Sequence, residues 1–169
     1  MKRHILAFVL AALISPALSV AQPHQKGAKT AAASNEFGIV ADAALVAMSE
    51  RAHELGATGV AVVAYFQDET IQTWSSKMTV VGNYKVDPTA GDKGLNLLAI
   101  AYAKAAEVAD THKDSGTGIR PPMTGEFEWT GGLIVRAKTG YLIAAFSGGK
   151  SDEDTLISQA GLAKLKAEL

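Results

Sequence analysis

Beyond its first 21 residues the chain has three histidines, His24, His53 and His112. An imidazole can ligate a metal or carry a proton near neutral pH. No two of them have the spacing of a zinc site, and HExxH is absent. His24 sits in a stretch with no apolar period and makes a poor ligand. His53 falls near the end of a predicted helix, where a positive charge is favoured by the helix dipole. His112 follows a second predicted helix and begins a glycine-rich loop. It can cap that helix end, or swing over a pocket and ligate a metal.

Two cations offer a different chemistry. Lys104, on the second helix, can hold a ligand carboxylate, with Arg120 as a second cation. A bland alternative for Lys104 is an i, i+3 pair with Glu107 on a solvated helix face. Gly131-Gly132 would let backbone approach a ligand closely. Asp154 can reach the same pocket or simply cap a helix start. Ser147-Gly148-Gly149-Lys150-Ser151 resembles a phosphate loop, but the first glycine of that motif is replaced by Ala144. Asp152, Glu153 and Asp154 would also repel phosphate. No G-x-S-x-G elbow and no Ser, His and Asp set can be assigned, so nothing marks a catalytic centre.

These residues need elements to position them. Leu133–Ala137 and Tyr141–Phe146 flank Lys138-Thr139-Gly140, the spacing of a β-hairpin with Gly140 at a positive φ. Ser151 then opens a final helix with Leu156, Ile157, Ala160 and Ala163 on one face. Upstream, Asn35 caps a helix over Glu36–Leu55, ended by Gly56. Gly59–Phe66 is apolar on both faces and reads as a central strand covered on both sides. Thr70–Trp74 returns as a more polar strand, and Lys77–Val81 either extends it or forms another. Leu95–Asp110 is the second helix, and Glu126–Thr130 a short edge strand. The order predicts an α+β domain over residues 35–169, its antiparallel sheet packed by helices.

The first 21 residues read as an export leader. Lys2 and Arg3 precede an apolar run over Ile5–Ile14, and Ser19-Val20-Ala21 fits cleavage after Ala21. That run is too short for a stable membrane anchor. Loss of Lys2 and Arg3 would take the net charge from −1 to −3. Such a balance has no basic surplus to attract nucleic acid or anionic lipid. With no cysteine there are no disulfides and no thiolate metal site. Residues 22–34 read as a flexible lead-in. The expected location is therefore the periplasm or the exterior of the cell.

A wider pattern joins these pieces. Gly131-Gly132 with Ile134-Val135, then Gly140 to Gly149, then Asp154, Gly161 and Leu162-Ala163-Lys164 form a C-terminal block. Ile100-Ala101 with Lys104-Ala105, and Val60–Val63, lie upstream of it. Together they resemble the GlcG/HbpS family, which includes the C-terminal domain of PduO-type proteins. The resemblance runs from about Asp42 to Leu165. Ile134 stands where the family has proline, Gln67-Asp68-Glu69 replaces an acidic-glycine turn, and the Gly82–Gly94 loop is longer.

The resemblance implies a profilin-like or roadblock-like α/β/α sandwich with about five strands, assembled as a homo-oligomer. It also implies haem, or a related tetrapyrrole, as ligand. On that reading His112 would approach the iron, Lys104 and Arg120 would hold carboxylates, and Gly131-Gly132 would admit the ligand. Tyr84, Tyr102, Met78 and Met123 are further candidates to approach the iron. The alternatives are an oligomeric interaction module without a small ligand, or a weak enzyme acting on haem or a small organic acid.

Overall fold

The structure, a computed structural model, describes residues 24–169. The expected leader over residues 1–21 lies outside them. The described residues form three helices: α1 (His24–Leu55), α2 (Leu97–Thr111) and α3 (Ser151–Glu168). Strands β1 (Gly59–Gln67), β2 (Trp74–Val81), β5 (Gly132–Arg136) and β6 (Gly140–Ser147) form an antiparallel sheet in the order β2-β1-β6-β5. Between β2 and α2, β3 (Lys85–Val86) and β4 (Leu95–Asn96) pair as a small ribbon. The fold is thus mixed α/β, with four strands in the main sheet and two in the ribbon, not five in one sheet.

Alternation along β1 sets the layering. Ala61, Val63 and Tyr65 face α1 and α3, whereas Val60, Val62, Ala64 and Phe66 face α2. Both sets are buried, as expected of a strand covered on each side. Strand β6 repeats the pattern, with Leu142, Ala144 and Phe146 on the first face and Tyr141, Ile143 and Ala145 on the second. Phe37, Ala41, Ala44 and Met48 of α1 close the first core with Ile157 and Leu165 of α3. Each fully buried large apolar side chain there contributes about 1.5–3 kcal/mol. No helix among the described residues is long and apolar enough to cross a membrane.

Several local expectations are corrected. Helix α1 begins at His24, so it takes in most of the stretch read as a lead-in, and Asn35 lies inside it. The second sheet strand starts at Trp74, where pairing with Phe66 begins, and not at Thr70. Leu95 belongs to β4, and Asn96 caps α2 by accepting from the Ala99 N–H at 3.0 Å. Lys150, not Ser151, takes the cap position of α3, and its N–H donates to Glu153 at 2.8 Å. Residues 126–130 form no strand.

Gly140 is needed for another reason than the one its turn suggested. Its φ is not positive; instead a Cβ there would overlap the Phe66 carbonyl oxygen of β1. Gly140→Ala should therefore destabilise the fold by ~2 kcal/mol or more, since neither backbone can retreat without breaking the ladder. Gly38, in α1, has open space around it. Gly38→Ala should stabilise by up to ~1 kcal/mol through helix propensity. Urea unfolding of the two variants checks both, and equal midpoints would sink the overlap argument.

Candidate functional site

Lys104 and Asp154 meet inside the protein. Lys104 rises from α2 on one side of the sheet; Asp154 belongs to the first turn of α3 on the other. Their Nζ and Oδ2 atoms are 2.6 Å apart, and the side chains are only 3% and 6% exposed. The ammonium also donates to the Phe146 carbonyl at 2.9 Å, and Asp154 Oδ1 accepts from the Gly149 N–H at 2.8 Å. Burial pushes the lysine below its ordinary pKa, an effect opposed by Asp154. Burial likewise raises Asp154, opposed by Lys104 and by the Gly149 N–H.

The double glycine makes this meeting possible. Gly131 has φ 109°, and a Cβ there would lie 2.6 Å from the Asp154 Cβ and 3.1 Å from Lys104 Nζ. At Gly132 a Cβ would meet the Lys104 carbonyl oxygen at 2.9 Å. The close approach read from these glycines is thus between protein segments. Ser158 donates to the Gly131 carbonyl at 2.7 Å. Ser115 ties in the preceding loop: it accepts from the Gly132 N–H at 2.8 Å and donates to the Trp129 carbonyl at 2.8 Å. A cavity of ≈ 120 Å³ adjoins the ion pair, walled by Leu95, Leu97, Trp129, Ser147 and Ser151.

The other sequence candidates lie elsewhere. His112 caps α2 in the left-handed conformation, φ 52°, its N–H donating to the Val108 carbonyl. Its ring stacks on Tyr141 at 4.3 Å between centroids. Beside it, Tyr141 donates to Glu69 and accepts from Arg136. The Arg136 guanidinium, with that tyrosine hydroxyl, holds Glu69 down at a pKa of about 2. Arg120 grips Glu126 through two bonds of 2.7 and 2.8 Å and reaches Asp110 at 2.7 Å. It organises the long loop, with Met123 N–H also donating to Glu126. Glu107 does not pair laterally with Lys104; its carboxylate accepts from the Gly116 N–H at 3.0 Å.

Two open grooves of ligand size flank the sheet edges. One, ≈ 380 Å³, lies between α1 and β2, and Leu45, Val46 and His53 line it with Asp42, Glu50 and Thr79, while the Met78 side chain turns to the α2 face. The other, ≈ 370 Å³, runs between β5 and α3 past Ile134, Leu162 and Lys166. His53 was assigned only a helix-end role from sequence. The signal that would have raised it is its helical spacing from Val46 and Ser49–Glu50, one face of α1. Among the described residues no group of three or more His, Cys, Asp or Glu side chains forms a metal cluster.

No family model matches the chain, and no curated protein matches it. Solved structures do. The crystal structure of Klebsiella pneumoniae protein ORFY, of family model DUF336, superposes with a TM-score of 0.52 at 15% identity, covering 76% of this chain and 89% of that one. The chain has the fold of ORFY. A PduOC–haem complex aligns with a TM-score of 0.49 at 17% identity, over 73% of this chain and 91% of the other.

Within this ORFY-like fold, the loop from His112 to Gly131 depends on Arg120 and Glu126. That arginine, with the Met123 N–H, lowers Glu126 to about 2 from an ordinary 4.5. The folded loop therefore binds that proton more weakly than the unfolded chain does. Its contribution is complete above the ordinary carboxylate range and is lost as pH falls toward 2. Trp129 emission in a Trp74→Phe background should shift over that window, and Glu126→Gln should show the shifted emission already at neutral pH. An emission that is flat in acid and unaltered by Glu126→Gln would contradict this account of the loop.

Proposed function

We propose that the chain is an exported, non-catalytic binding protein whose ligand is haem or a related tetrapyrrole, seated in the groove between α1 and β2. The observation that carries this reading is the placement of the His53 imidazole beside Leu45 and Val46 along one groove of ≈ 380 Å³. Ligand sites commonly measure about 300–1,000 Å³, and a histidine is a known axial ligand of haem iron. Leu45 and Val46 supply apolar contact for a flat macrocycle, and Val46 is exposed in the free protein. The ligand's carboxylates would point outward, away from Asp42 and Glu50. The cavity beside Lys104, at ≈ 120 Å³, is too small for such a ligand. The GlcG/HbpS-like sequence pattern supports the same ligand class, and the leader-like start supports export.

In this reading Lys104 and Arg120 are not the carboxylate holders, because both cations already have acidic partners. His112 becomes the comparator. A hemin titration of residues 22–169, followed by absorbance, should saturate at fixed stoichiometry with a sharp Soret band. His53→Ala should weaken binding by at least about tenfold, or ~1.4 kcal/mol. Met78→Ala, a change on the α2 face of the sheet, and His112→Ala should both bind as wild type. A shallow, unsaturable rise would reject the haem reading. Loss of binding in His112→Ala alone would reject the groove.

A second reading is favoured by one observation. Val80, Tyr84, Val86 and Leu95 expose apolar surface around the β2 edge and the ribbon. A homo-oligomer could cover it, and the assembly would then be the functional unit without a small ligand. Light scattering that returned a monomer would remove this reading.

A further inference from the structure

The buried amine of Lys104 is a chemical resource that the haem reading leaves unused. Lys104 lines the ≈ 120 Å³ cavity, whose mouth runs between the ribbon and the start of α3. Two of its three N–H donors are taken, by Asp154 and by the Phe146 carbonyl. Leu95, Leu97 and Trp129 give the cavity an apolar wall, and Ser147 and Ser151 a polar one. The volume equals about four waters at ~30 Å³ each, enough for a carbonyl compound of about two to four carbons.

We propose that Lys104 forms a Schiff base with a small aldehyde or ketone held in this cavity, with Asp154 as its proton partner. The ammonium passes one proton to the Asp154 carboxylate, and the freed amine attacks the carbonyl carbon. One nitrogen proton moves to the new alkoxide, giving a carbinolamine. Asp154 returns its proton to that hydroxyl, water leaves with the carbonyl oxygen, and an iminium remains on Lys104. No oxidant or reductant is consumed. Desolvation disfavours the charged forms of both partners, which eases the first transfer. This site is separate from the α1–β2 groove, so its fate does not depend on haem.

The test uses the whole protein at neutral pH with acetaldehyde as probe and cyanoborohydride to trap the imine, followed by peptide mass spectrometry. Lys104 should be ethylated several times faster than exposed lysines such as Lys113 and Lys138, because burial lowers its pKa and raises its share of free amine. Benzaldehyde should spare Lys104 because the cavity cannot hold it. Leu95→Trp, at an exposed rim position, should slow the reaction without touching the ion pair. Surface lysines serve as internal controls, so no variant of the buried pair is needed. Labelling of the surface lysines with Lys104 untouched would overturn the proposal, as would equal labelling by benzaldehyde.

Discussion

The ion pair between Lys104 and Asp154 is the constraint on which the rest of the molecule depends. Each charge loses its water on folding, at a cost of several kcal/mol per ion. That cost is offset only if the partners stay at 2.6 Å and their remaining valences are filled, here by the Phe146 carbonyl and the Gly149 N–H. Three elements must then hold register at once: α2, the end of β6 and the start of α3. Since the helices lie on opposite faces, the pair works as a bolt through the end of the sheet. The positive φ of Gly131, the bare Gly132 and the hydroxyls of Ser115 and Ser158 all answer to that geometry.

The same logic explains why conspicuous cations need not be ligand contacts. A lysine beside an apolar helix face and an arginine in a glycine-rich loop look free in a linear reading. In the fold, Lys104 meets an acid 50 residues away, and Arg120 meets Asp110 and Glu126 across its own loop. Capacity for a large ligand passes instead to the groove bearing His53, whereas the small cavity behind the ribbon has the paired Lys104 in its own wall.

Much of the fold was legible because its signals are local. The apolar run of β1, the hairpin around Lys138 and the face of α3 each carry their own period, and the structure keeps them. The start of β2, the two-residue strands of the ribbon and the irregular path of 126–130 were not, because pairing partners decide them. Gly140 was misread for a similar reason: the neighbour that excludes a side chain lies on β1. The site was partly readable. Lys104 follows Leu97 by seven and Ala101 by three, and precedes Val108 by four, so it falls on the buried face of α2. A lone lysine there implies a buried acid. Its identity as Asp154 came only with the fold.

The central claim is that these two charges stabilise the fold as a pair and not as individuals. A double-mutant cycle measures this directly: urea unfolding of wild type, Lys104→Met, Asp154→Leu and the double variant. Each single change should cost ~3–5 kcal/mol by stranding its partner, and the double change should cost much less than their sum, with a coupling of at least ~2 kcal/mol. Single variants within ~0.5 kcal/mol of wild type, with additive effects in the double, would contradict the account.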